Sequence, residues 1–137
     1  MPELNGVLET ALYVEDVSRA QAFYEGILEL KPLFADRRLC ALDVAGRSVL
    51  LLFQRGASTE TITLPGGTIP PHDAGGQQHI AFAVSEDELG AWEQRLESRG
   101  VPIEGRTSWS RGGRSVYFRD PDGHLLEFAT PGLWSIY

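Results

Sequence analysis

The sequence predicts an α+β fold in which one βαβββ module is written twice. Two observations carry that reading. Segments of period 2 and period 3.6 succeed one another as strand, helix and three strands on either side of a Pro/Gly-rich stretch. The two opening strands also align at a constant offset, pairing Ala11 with Ala81, Val14 with Val84 and Glu9 with His79. The length, 137 residues, fits one domain that buries roughly 68% of its unfolded surface.

Module one spans about residues 7–54. Residues 7–14 alternate as a strand, with Thr10, Leu12 and Val14 on one face and Glu9, Ala11 and Tyr13 on the other. Asp16 is the N-cap of a helix whose apolar face is Val17, Ala20, Phe23, Tyr24, Ile27 and Leu28, and which Pro32 is expected to stop. Strands follow at 33–35, 39–44 and 48–54, with Ala45-Gly46 turning the last two. Residues 55–77 lose periodicity and read as a long loop, a length that in compact domains usually signals function or a linker.

Module two spans about residues 78–130. The strand 78–84 carries Ile80, Phe82 and Val84 on one face and His79, Ala81 and Ala83 on the other. Ser85 and Glu88 have the spacing of a capping box, opening a helix through Leu89, Trp92 and Leu96 that Gly100 ends. Strands at 102–106 and 114–119 lead to a turn at Pro121-Asp122-Gly123 and a last strand, 124–130. Leu133, Trp134 and Tyr137 in the tail, 131–137, are expected to pack on the body or on a second subunit.

Composition excludes some partners. Twelve Lys+Arg against nineteen Asp+Glu give a formal charge of −7, so neither nucleic acid nor an anionic membrane is expected. Cys40 stands alone and forms no internal disulfide, which suits a reducing cytoplasm. No stretch reads as an export signal or a membrane span.

The chemistry concentrates on a few positions. Glu127 is a carboxylate inside an otherwise apolar strand, and burying it requires a cation, a donor or water beside it. Glu9 and His79 share their strand faces with alanines, which leave space and suggest the wall of a cleft. Tyr117 and Arg119 lie on one face of their strand with Ser115 and could orient a substrate, and His72 in the loop could contact it or carry a proton. His124 reads as part of the turn.

The openings E-T-A-L-Y-V-E-D-V and H-I-A-F-A-V and the closing Y-F-R-D-P-D-G-H-L-L-E-F resemble the vicinal oxygen chelate superfamily, which includes glyoxalase I, extradiol dioxygenases, fosfomycin-resistance transferases and bleomycin-resistance proteins. The resemblance implies a curved mixed sheet around a metal-binding cleft, with Glu9, His79 and Glu127 as ligands. The fourth family position falls on leucine, since Leu50, Leu51 and Leu52 fill that part of the strand, so a three-ligand site is implied. Two carboxylates and one imidazole favour Mn, Fe or Co, while Ni and Zn stay open. The implied activity is a metal-dependent dioxygenase, lyase or isomerase acting on a small molecule with vicinal oxygens, with Glu9 and Glu127 as catalytic carboxylates. A metal-free small-molecule binding protein is the alternative. The resemblance also implies a homodimer, possibly with exchanged modules.

Overall fold

The computed structural model describes residues 1–137, and the two similar modules are there. The chain forms two compact units, Met1–Gly76 and Gln77–Tyr137. In the first, β1 (Glu9–Val14), α1 (Val17–Leu28), β2 (Lys31–Ala35), β3 (Leu39–Val44) and β4 (Ser48–Gln54) build a mixed sheet of order β1-β4-β3-β2. β1 runs parallel to β4, and the other pairs are antiparallel. Alternation sends Leu12, Val14, Leu42, Leu50 and Leu52 into a buried layer with Ala20, Tyr24 and Ile27 of α1. Each such aliphatic side chain contributes about 1.5–3 kcal/mol of burial. Cys40 belongs to this layer; burial, and after it the charge of Glu25, push its thiol up to about 11.

Asp16 caps α1 as expected, its Oδ1 accepting from the Arg19 amide at 3.1 Å. The other end differs from expectation. Glu29, in a left-handed conformation (φ 58°), ends the helix and returns its N–H to the Tyr24 carbonyl. Pro32 instead sits in β2, an edge strand, where the missing N–H removes no essential ladder bond.

The stretch 55–77 is more ordered than its composition suggests. β5 (Ile62–Leu64) and β6 (Gly67–Ile69) form a hairpin across Pro65-Gly66. Three-residue strands are too short for alternation to reveal. The stretch is tied back on itself, with the His72 amide donating to the Ser58 carbonyl at 2.8 Å and the Gly56 amide to Asp73 Oδ1 at 3.2 Å.

In the second unit, β7 (His79–Ala83), α2 (Glu86–Ser98), β8 (Gly105–Ser108), β9 (Arg114–Arg119) and β10 (Leu125–Ala129) give the order β7-β10-β9-β8. Leu89, Leu96, Val116, Phe118, Leu126 and Phe128 are the larger of its buried apolar residues, with Val84 and Ala129 beside them. The Phe128 ring lies 4.8 Å from Phe118 and 4.9 Å from the half-buried Trp92. Ser85 is the N-cap of α2, but no capping box forms: its hydroxyl donates to the Glu88 carboxylate at 3.2 Å instead of accepting from a backbone amide. Gly100, at φ 70°, follows the helix as expected. β8 begins later than the expected strand, after Pro102. In the tail, the Tyr137 hydroxyl reaches the carbonyls of Val84 and Ala129 at 3.1 and 3.2 Å, while Trp134 stays exposed. No helix is long and apolar enough to cross a membrane.

Candidate metal centre

The turn before β10 sets the second unit's site. Asp120, rather than Asp122, organises it: its buried Oδ1 accepts from the amides of Asp122 at 3.0 Å and His124 at 2.9 Å. His124 is fully buried, and its Nδ1 accepts from the Gln78 amide at 2.9 Å, so it is turn structure as expected and also anchors the start of β7. The parallel register then sets His79 opposite Leu125 and Ala81 opposite Glu127.

This register brings two of the three expected ligands together. His79 Nε2 lies 3.2 Å from Glu127 Oε1. The ring is aimed by its other nitrogen, since Nδ1 is 2.8 Å from the Leu125 carbonyl oxygen, which can only accept. Nδ1 therefore carries a proton, so whenever the ring is neutral its Nε2 presents a lone pair to a carboxylate oxygen. Two lone pairs facing at this distance repel unless a proton or a cation lies between them.

A divalent ion with bonds of about 2.0–2.2 Å holds neighbouring donors roughly 2.8–3.6 Å apart, from octahedral to tetrahedral geometry. The pair fits that spacing, and the backbone bond on Nδ1 is the arrangement that orients metal-bound histidines. Glu127 is 5% exposed, so the question raised by a carboxylate in an apolar strand has an answer: His79 stands on one side of it. On the other, Ser115 Oγ lies 2.5 Å from Oε2, and the Trp109 indole N–H donates to Ser115 Oγ at 2.8 Å.

Glu9 opens β1 in the other unit and is exposed. Within neither unit do three His, Cys, Asp or Glu side chains gather closely enough to hold an ion. The register explains the missing fourth ligand. In the second unit the acid stands opposite the residue two on from His79; the matching position, opposite Ala11, is Leu51.

The remaining candidates separate. Tyr117 stands directly opposite Glu127 on β9, half-buried. Arg119 is engaged elsewhere, with Nε 3.1 Å from Glu104 and a guanidinium N–H donated to the Gly123 carbonyl at 3.1 Å, so it ties down the acidic turn. His72 belongs to a cluster in the first unit, its Nδ1 2.6 Å from the Tyr13 hydroxyl and its ring 4.6 Å from Phe53. The Arg38 guanidinium lies over Phe53 at 5.6 Å. Burial, and then the charge of Asp73, raise the Tyr13 hydroxyl above its usual range.

Ser115, Trp109 and Tyr13 carry no role in the sequence reading. Alternation puts Ser115 on the face of Glu127 and Tyr13 on that of Glu9, so both were within reach of the pattern. Trp109 was not, because its direction depends on the turn between β8 and β9.

Comparison with known proteins gives a consistent family. The sequence model of the Glyoxalase/Bleomycin resistance protein/Dioxygenase superfamily matches residues 6–128. The metallothiol transferase FosB of Shouchella clausii (strain KSM-K16) is 30% identical over 129 residues, covering 93% of this chain and 81% of that protein. The glutathione transferase FosA of Serratia marcescens is 42% identical over 62 residues, covering 43% of this chain and 40% of that protein. Among solved structures, the lactoylglutathione lyase from Agrobacterium tumefaciens superposes with a TM-score of 0.89 at 33% identity, covering 98% of this chain and 99% of that one.

Proposed function

The chain belongs to the Glyoxalase/Bleomycin resistance protein/Dioxygenase superfamily, and from that premise we propose that it is a small divalent-metal enzyme acting on a small molecule with two adjacent oxygens. The observation that carries the proposal is the facing of His79 Nε2 and Glu127 Oε1 at 3.2 Å, with Nδ1 already spoken for. Glu9, the counterpart of His79 in the repeat, is the third donor, and as an exposed carboxylate it is also suited to carry a proton. A divalent ion held by these residues supplies Lewis acidity for charge developing on the substrate oxygens. Tyr117, opposite Glu127, and the Tyr13–His72 pair on the face of Glu9 contact the substrate; Arg119 is held by Glu104 and serves the turn. Group-transfer or lyase chemistry is favoured over ring-cleaving oxygenation, because relatives matching nearly the whole chain are named a transferase and a lyase. The metal is one of Fe, Mn, Co, Ni or Zn, and the working form is a homodimer.

Elemental analysis of protein purified without added metal tests this. Near-stoichiometric divalent ion is expected, and metal at about 100 times its dissociation constant should raise the melting temperature of the stripped protein by roughly 10 °C. No bound metal and no rise would instead identify a binding protein, with the aromatic cluster of Tyr13, Phe53 and His72 as its ligand-stacking wall.

Module exchange has its own readout. When Glu9→Ala and His79→Ala chains are mixed, one metal site per heterodimer returns if Glu9 acts with the partner's second module. No site returns if all three ligands come from one chain.

A further inference from the structure

We infer that Ser115, held in place by Trp109, is a positioning residue that selects which oxygen of Glu127 is offered to the metal and confines that carboxylate to one-oxygen binding. The inference rests on the metal reading above and deepens it.

The directions of the two hydrogen bonds that link Trp109, Ser115 and Glu127 are fixed by chemistry. An indole N–H can only donate, so Ser115 Oγ accepts from Trp109 at 2.8 Å. The serine's single proton is then directed to Glu127 Oε2 at 2.5 Å, a short bond of the charge-assisted kind. Oε2 is thereby occupied, and Oε1 alone faces His79 Nε2 at 3.2 Å. Ser115 is 1% exposed, so bulk water does not compete for the bond.

Trp109 is itself set by the turn between β8 and β9, where its amide donates to the Gly113 carbonyl at 2.8 Å and its carbonyl accepts from Gly112 at 2.9 Å. Ser115 and Glu127 lie on adjacent antiparallel strands, diagonal across the pair Tyr117–Glu127. The sheet therefore sets their separation without help from a flexible segment.

The functional consequence is an open coordination sphere. A carboxylate with both oxygens available can take two positions on an ion; with Oε2 engaged it takes one, leaving an additional place for a substrate oxygen. Partners in this outer layer typically contribute 10–100-fold to metal affinity.

The test uses the full-length protein stripped of metal and titrated with Co²⁺, read by calorimetry and by the visible spectrum of the bound ion. Ser115→Ala is expected to bind Co²⁺ about 10–100-fold more weakly, because the carboxylate is no longer held in place, and to give an altered spectrum, because Oε2 is then free to reach the ion. Ser115→Thr, which keeps the hydroxyl, restores both, and Trp109→Phe gives an intermediate loss with the serine in place. A Ser115→Ala protein that binds Co²⁺ with wild-type affinity and spectrum overturns the inference, as does failure of Ser115→Thr to restore them. Wild-type protein that takes up no Co²⁺ overturns the metal reading itself. If Ser115→Ala does not fold, Trp109→Phe decides: unchanged affinity and spectrum reject the role.

Discussion

Replacing His79 by alanine is expected to remove most of the metal-dependent stabilisation. Structural zinc sites with four ligands yield about 10–16 kcal/mol, which divides to roughly 3 kcal/mol or more per donor. Losing one donor thus weakens affinity by about two orders of magnitude, enough to cut the melting-temperature rise from roughly 10 °C to about 1–2 °C at about 100 times the wild-type dissociation constant. The metal-free protein should change far less. The His79 side chain is 49% exposed, so its interaction with Glu127 is screened by water, and Ser115 still donates to Oε2. Thermal unfolding of both proteins with and without Mn²⁺ or Co²⁺ separates the two contributions. An equal metal-induced rise in wild type and His79→Ala would remove the imidazole from the site and leave the pair as a simple ion pair.

Gly132→Ala is expected to cost about 3–5 kcal/mol of stability, for reasons unrelated to chemistry at the metal. Gly132 has φ +105°, a conformation that strains any residue with a Cβ. An added Cβ would fall on the Gly113 amide nitrogen and 2.8 Å from the Arg111 carbonyl oxygen. Both are backbone, so no side chain can swing aside. Backbone strain and overpacking each contribute about 1–3 kcal/mol. The same crossing places the Gly113 amide 3.2 Å from the Gly132 carbonyl and the Gly132 amide 2.8 Å from that of Tyr137, so moving the chains apart also loses hydrogen bonds. Urea denaturation should show a clear fall in midpoint. A loss below about 1 kcal/mol would mean that this crossing is not maintained in solution.

Much of this architecture was legible from side-chain alternation, and the failures have physical causes. Leu12 and Val14, or Ile80 and Phe82, declare which face of a strand meets a helix, because burial acts on every second residue. The same alternation exposed Glu127 as an anomaly and put Glu9 and His79 at matching positions. It could not say that His79 Nδ1 would be held by the Leu125 carbonyl, since that depends on parallel register, which no periodicity encodes. Pro32 misled because a proline both ends helices and tolerates edge strands, and Glu29 had already ended α1. The capping box failed because Ser85 found a carboxylate before it found an amide. The β5–β6 hairpin was hidden by its brevity and by the glycines around it.

β1 and β7, the strands that bear Glu9 and His79, are both sheet margins, each hydrogen-bonded along a single side. The opposite margin of the first sheet, β2, carries Lys31, Pro32 and a register shift, which are ordinary protections against growth of the sheet. Neither β1 nor β7 has a lysine, a proline or a bulge, and β7 exposes only His79, Ala81 and Ala83. Both margins that bear the proposed ligands are thus left open to an added strand, and the alanines of β7 set no charge against it.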